Sequence, residues 1–271
     1  MSALPAKPCR RVLVTGASGR IGRFLVPALI DASYEVSALD IVAPQQPDPR
    51  ARSLVADMTN REEFRRLLVG HDAVIHLAAN PLAQEWSEVE PANITGAVSV
   101  LETAGELGLD KVIFASSIHV CGYATLGDHF HANTPVRPDG PYGVSKAFGE
   151  AVARYVHERF GPSVFVLRIG TCRARPLTIR ERTTWISPAD LVRLVRACLS
   201  PTAKGYRMLW AFSANRHAHV DRSEWGAIGY QPSDDAENYL DELTDPESGT
   251  VAEGRIGGRF IKAARKQGED S

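Results

Sequence analysis

A chain of 271 residues, 44% hydrophobic and 23% charged, has the composition of a soluble globular protein and the length for one large α/β domain or two small ones. Its formal net charge of −1 excludes a global field that would draw it to nucleic acid or an anionic membrane. No apolar run is long enough to span a bilayer, residues 1–10 lack the apolar core of a secretory signal, and Cys9, Cys121, Cys172 and Cys198 have neither metal-ligand nor disulfide spacing, so a cytoplasmic protein with reduced thiols and no metal site is expected.

Residues 1–10 carry two prolines and read as a flexible arm. Residues 11–15 (RVLVT) form an apolar strand that runs into a glycine-rich turn, and residues 20–32 have helical spacing despite Pro27. Strands follow at 36–40 and 54–56, a polar helix at 61–68, a strand at 73–77 and a helix at 93–107. A strand at 111–116, a long helix at 142–159 and a strand at 164–169 complete the regular pattern. Strands that alternate with helices, several of them continuously apolar, predict a Rossmann-type doubly wound parallel sheet covered on both faces. Beyond residue 170 the pattern loosens to a helix at 188–199 and a strand at 207–212. Residues 11–248 are therefore read as one domain whose part from about 170 covers the substrate, and 249–271 as a polar tail.

The segment Thr15-Gly16-Ala17-Ser18-Gly19-Arg20-Ile21-Gly22 joins the first strand to the first helix. Glycine lets a backbone turn tightly and approach phosphates, and a helix N-terminus offers free N–H groups and partial positive charge. Its spacing is GxxGxxG, not GxGxxG, but strand, turn and helix stand in the order a dinucleotide site requires. Asp40 ends the second strand, where a carboxylate accepts hydrogen bonds from the adenosine ribose and repels a 2′-phosphate. That favours NAD; Arg20 and Arg23, each able to pair with a phosphate, keep NADP as the alternative. Asp57 and Met58 follow the third strand, and Leu77, Ala78 and Ala79 the fourth, at the carboxyl ends where open α/β sheets bind ligands.

Tyr142 and Lys146 lie four apart at a helix start and share a face. An ammonium beside a phenol favours the phenolate, which can take a proton from a substrate hydroxyl as hydride leaves for a nicotinamide. Ser116 and Ser117 end the fifth strand, and Ser117 is the candidate to orient that hydroxyl.

Together TGASGRIG, Asp40, HLAA, FASS, YGVSK and LRIGT resemble the extended short-chain dehydrogenase/reductase superfamily over residues 10–240. Within it, FASSIHVCGY (114–123), RPDGPYGVSKAFGE (137–150), LRIGTCRARPLTIRERTTWIS (167–187) and SANRHAHVD with GYQPSDDAE are most similar to NAD-dependent uronate dehydrogenases. The resemblance implies catalytic Ser117, Tyr142 and Lys146, a cofactor wall that includes Ile169, and substrate contacts from Ser117, His119, Tyr142, Thr171 and Arg180. Arg180 would grip a carboxylate through two parallel hydrogen bonds. The implied reaction is oxidation of a sugar or sugar acid at its anomeric carbon to a lactone. Two positions depart from the pattern: Ile118 stands where those enzymes have asparagine, and Pro81 where they have a substrate-binding serine. Each unmet sugar hydroxyl costs about 1–3 kcal/mol, so a deoxy, modified or less polar sugar is open. A sugar epimerase or dehydratase that retains its cofactor, or a non-enzymatic dinucleotide sensor, are the alternatives. The superfamily pairs subunits through helices corresponding to 93–107 and 142–159, which implies a homodimer or higher oligomer.

Overall fold

Alternation along the strands builds both faces of the sheet. In β1 (Arg11–Thr15), Val12 and Val14 enter the core on one face and Leu13 the core on the other. Ile113 opposes Val112 and Phe114 in β5 (Lys111–Ser117), and Phe165 and Leu167 oppose Val164 and Val166 in β6 (Ser163–Ile169). Strands buried on both sides need helices on both sides. The structure, a computed structural model, describes residues 9–261; the arm expected over 1–10 lies outside these up to residue 8.

The remaining strands and α-helices among the described residues are α1 (Gly22–Asp31), β2 (Glu35–Asp40), β3 (Arg52–Val55), α2 (Arg61–Leu68), β4 (Ala73–His76), α3 (Trp86–Val89), α4 (Gly96–Glu106), α5 (Pro141–Phe160), β7 (Thr171–Cys172), α6 (Glu181–Thr184), β8 (Trp185–Ile186), α7 (Pro188–Leu199), β9 (Tyr206–Ala211) and α8 (Ser223–Ile228). Seven strands form one parallel sheet in the order β3-β2-β1-β4-β5-β6-β9. This is the expected Rossmann-type order, and the chain reverses direction across the sheet between β1 and β4, where such sheets bind ligands. α1 and α7 cover one face, and α2, α4 and α5 the other.

Pro27 lies inside α1 and does not break it: Leu25, Val26 and Leu29 are buried and hold the helix to the sheet. The helix read over 93–107 begins as α4 at Gly96, preceded by a π-turn at Glu90–Thr95. β7 and β8, strands of two residues each, are too short to show a period in the sequence. The segment from Gly249, read as a polar tail, packs against the body as far as Ile261. Leu126 donates to Gly254 and Gly257 to Gly122 through the backbone, and Ile256 is fully buried. Residues 262–271 lie outside the described range.

Candidate active site

The turn between β1 and α1 is held by close backbone contacts. Gly16 has φ 71°, and a Cβ there would stand 2.7 Å from the Ala78 backbone nitrogen. Gly22 likewise has no room for a Cβ against Ala17. Gly19 differs: a Cβ would crowd only the Gly16 carbonyl, at 3.1 Å, so its bareness keeps the outer face of the turn open. The N–H groups of Arg20 and Ile21 make no hydrogen bond among the described residues. Unpaired N–H groups on an open glycine turn, at a helix start, fit a pyrophosphate.

Asp40 reaches back to this turn, its carboxylate accepting from Ser18 N–H at 2.9 Å and Val42 N–H at 3.3 Å. Both oxygens keep acceptor capacity for ribose hydroxyls. Asp57 is exposed and accepts from Thr59 N–H. Met58 turns its side chain into the contact with Gly96, and its carbonyl accepts from Ser99 at 2.6 Å, so packing explains that residue. Leu77, Ala78 and Ala79 are half-buried at the end of β4, and Ile169 is buried at the end of β6, paired with Ser117.

The two serines of β5 point to opposite sides. Ser116 donates at 2.6 Å to Glu150, which is gripped by Arg168 through two bonds of 2.9 Å in a buried ion pair. Ser117 bonds the Tyr142 phenol and accepts from His119 N–H at 3.2 Å. Lys146 is buried one helical turn from Tyr142; its ammonium donates to the Ala115 carbonyl at 2.8 Å and lies over the Phe114 and Tyr142 rings. Burial pulls the Lys146 ammonium down from 10.5 to about 7, partly offset by Glu150. Burial also pushes the Tyr142 phenol up to about 12, with the Asp139 charge adding to the rise and the Ser117 bond opposing it. The expected lowering of Tyr142 by Lys146 does not emerge in the protein alone: burial dominates, and Ser117 supplies the opposing effect.

A pocket of about 220 Å³ opens beside Tyr142, walled by Pro81, Gln84, His119, Asp139 and Phe260 among others. That is below the about 300–1,000 Å³ of drug-sized sites and suits one small ring. His119 pairs through Nδ1 with Asp139 at 2.6 Å and meets the Phe260 ring edge-on at 4.7 Å.

Arg180 and Thr171 stand together, with Arg180 Nη2 donating to Thr171 Oγ1 at 3.2 Å, but neither lines this pocket. The guanidinium does not present a free fork. Nη1 donates to Thr184 Oγ1 and to the Ile256 carbonyl, and Nε is buried without a hydrogen bond, 3.8 Å from Glu247. One Nη2 proton remains, because residues 247–258 fold over the arginine and bring their own carboxylate. The bidentate grip expected from sequence is corrected accordingly.

Asp139, Asn93, Glu247 and Phe260 reach the site without having been singled out. Asn93, in the π-turn, accepts from Asn80 N–H and donates to Ser145, which donates to the Tyr142 carbonyl, so it ties the loop after β4 to the first turn of α5. Asp139 lies three residues before Tyr142 inside a quoted motif; for Phe260 and Glu247 no local signal exists.

A glycine turn with unpaired N–H groups at the switch point, and Ser117, Tyr142 and Lys146 gathered near the end of β5, are the parts a nicotinamide-dependent oxidoreductase requires. The NAD dependent epimerase/dehydratase family matches residues 12–175, and the chain belongs to it. It is 33% identical to the uronate dehydrogenase of Agrobacterium fabrum over 93% of this chain and 97% of that one. It is 32% identical to the L-arabinose 1-dehydrogenase (NAD(P)(+)) of Haloferax volcanii, over 85% and 99% of the two chains. The crystal structure of an alanine variant of the Agrobacterium tumefaciens uronate dehydrogenase complexed with NAD superposes with a TM-score of 0.87 at 31% identity, covering 93% of this chain and 97% of that one. The expected family, NAD as cofactor and the NAD-dependent dehydrogenase class are borne out. Among the described residues no helix is long and apolar enough to cross a membrane, and no cluster of His, Cys, Asp and Glu could hold a metal ion.

Proposed function

We propose that the protein oxidises the anomeric hydroxyl of a cyclic sugar or sugar acid to a lactone. The observation that carries this reading is the buried Ser117 and Lys146 together with the half-buried Tyr142, which walls a pocket sized for one small ring. Ser117 orients the reacting hydroxyl, and Tyr142 Oη takes its proton as the C–H hydride departs. NAD, when bound, supplies the acceptor for that hydride. Gly16, Ser18, Gly19, Arg20, Ile21 and Gly22 would hold its pyrophosphate, Asp40 its adenosine ribose, Asp57 with the Met58 backbone its adenine, and Leu77, Ala78, Ala79 and Ile169 its flat faces. Lys146 would hold the nicotinamide ribose and, as an ammonium, eases ionisation of Tyr142. His119 would meet the sugar oxygens inside the pocket, while Thr171 and the remaining Nη2 proton of Arg180, which do not line it, would meet only a carboxylate that reaches beyond it. A pocket this small favours a free sugar over a nucleotide-linked one.

We place the protein in the cytoplasm as a homodimer or higher oligomer. Four buried cysteines, none of them in a disulfide, support the first. Val144, Phe148 and Tyr155, exposed along one side of α5, support the second.

Purified protein given NAD and a panel of uronates and aldoses is expected to produce NADH absorbance. Tyr142→Phe is expected to lower turnover at least 10³-fold with NAD affinity within about threefold. Silence across the panel sinks the reading, and co-purified NAD with no net NADH marks an epimerase.

A further inference from the structure

Asp139 is a buried carboxylate without an arginine or lysine partner among the described residues; its side chain is 3% exposed. Its hydrogen bond goes to Nδ1 of His119 at 2.6 Å. Room for it is made by three glycines from three parts of the chain: a Cβ on Gly122 after β5, on Gly143 in the first turn of α5, or on Gly257 in the last described segment would crowd the carboxylate. The His119 ring meets the Tyr142 ring edge-on at 5.9 Å, and both residues wall the same pocket. His119 Nε2 makes no bond among the described residues. The charge on Asp139 opposes ionisation of Tyr142. Any benefit it brings to the reaction therefore runs through His119.

We infer that Asp139 is a positioning residue that holds His119 in the tautomer with the proton on Nδ1, turning an unprotonated Nε2 to the pocket to accept a hydrogen bond from the sugar hydroxyl next to the one oxidised. A carboxylate only accepts, so a neutral imidazole bonded to it must carry its proton on Nδ1. Nε2 is then an acceptor and demands a donor. Tyr142 and His119 touch edge to ring, so the atoms they reach are neighbours on one small ring. A sugar with a free hydroxyl beside its reacting carbon satisfies both, while a deoxy or O-methyl sugar leaves Nε2 unpaired. The catalytic consequence rests on the reaction proposed above.

The test combines a spectroscopic and a kinetic readout. ¹⁵N NMR of histidine-labelled protein is expected to show His119, once its imidazole is neutral, as the Nδ1–H tautomer, and Asp139→Asn, which fits the same space, to lose that signature. With the best sugar of the panel and NAD, Asp139→Asn is expected to raise KM tenfold or more with kcat within about threefold, because a bond to a non-reacting hydroxyl acts on binding. Added to His119→Ala, Asp139→Asn is expected to change kcat/KM by less than twofold. An Nε2–H tautomer in the wild type, or losses that multiply in the double variant of an active enzyme, overturns this inference alone. No turnover on any sugar overturns the proposed reaction and this refinement together, and should Asn disturb the fold, the wild-type tautomer still decides.

Discussion

Replacing Lys146 by methionine is expected to stabilise the fold while abolishing turnover. Lys146 is 3% exposed, and burial lowers its ammonium from 10.5 to about 7. At about 1.4 kcal/mol per pH unit, that difference corresponds to about 5 kcal/mol of destabilisation wherever the folded protein must carry the charge. The unfolded chain keeps the proton up to about pH 10.5, the folded chain only to about 7. Between these values the unfolded state binds more protons, so wild-type stability rises with pH; below 7 the whole penalty stands. Methionine fills similar space but forfeits the bond to the Ala115 carbonyl and the contact with the Phe114 ring, together about 2 kcal/mol. The net gain is about 3 kcal/mol at pH 6, or about 6 °C in Tm for a chain of this size. Urea unfolding followed by tryptophan fluorescence at pH 6, 8 and 10 reads it, with the gap between variant and wild type largest at pH 6 and closing, then reversing, towards pH 10. A variant less stable at pH 6, or a gap that ignores pH, would refute the reasoning.

Asp40→Ser removes a carboxylate that also holds Ser18 N–H, so NAD affinity is expected to fall tenfold or more and preference to move towards NADP. Calorimetric titration with both cofactors checks this, and an unchanged NAD preference removes Asp40 from ribose recognition. Glu247→Gln takes away the carboxylate beside Arg180, where a second carboxylate would meet like-charge repulsion. The ratio of kcat/KM for galacturonate over galactose is expected to rise at least fivefold; a constant ratio means that Glu247 does not screen the arginine.

Much of the fold was legible because strands buried on both faces write their core into consecutive residues, as VLV in β1 and VIF in β5 do. The glycine turn was legible because Gly16, Gly19 and Gly22 act within one turn, where spacing is geometry. Tyr142 and Lys146 are a single helical turn apart, so their shared face followed from local structure. The π-turn at Glu90–Thr95 was not legible, since it differs from an α-helix by one residue per turn and is held by Asn93 reaching to Asn80 and Ser145.

What sequence alone determined about this protein is therefore its parallel sheet, its glycine turn and the shared face of Tyr142 and Lys146, all set by contacts between near neighbours or by the burial of whole strands. Only the tertiary structure decided the far wall of the pocket. Arg180 looked like a free carboxylate fork until residues 247–258 folded over it, and Asp139 acquired its role from His119, 20 residues away. It also reversed the expected balance at Tyr142: the pair was visible in the spacing, but the depth at which it is buried, which governs both of its proton affinities, depends on everything packed around it.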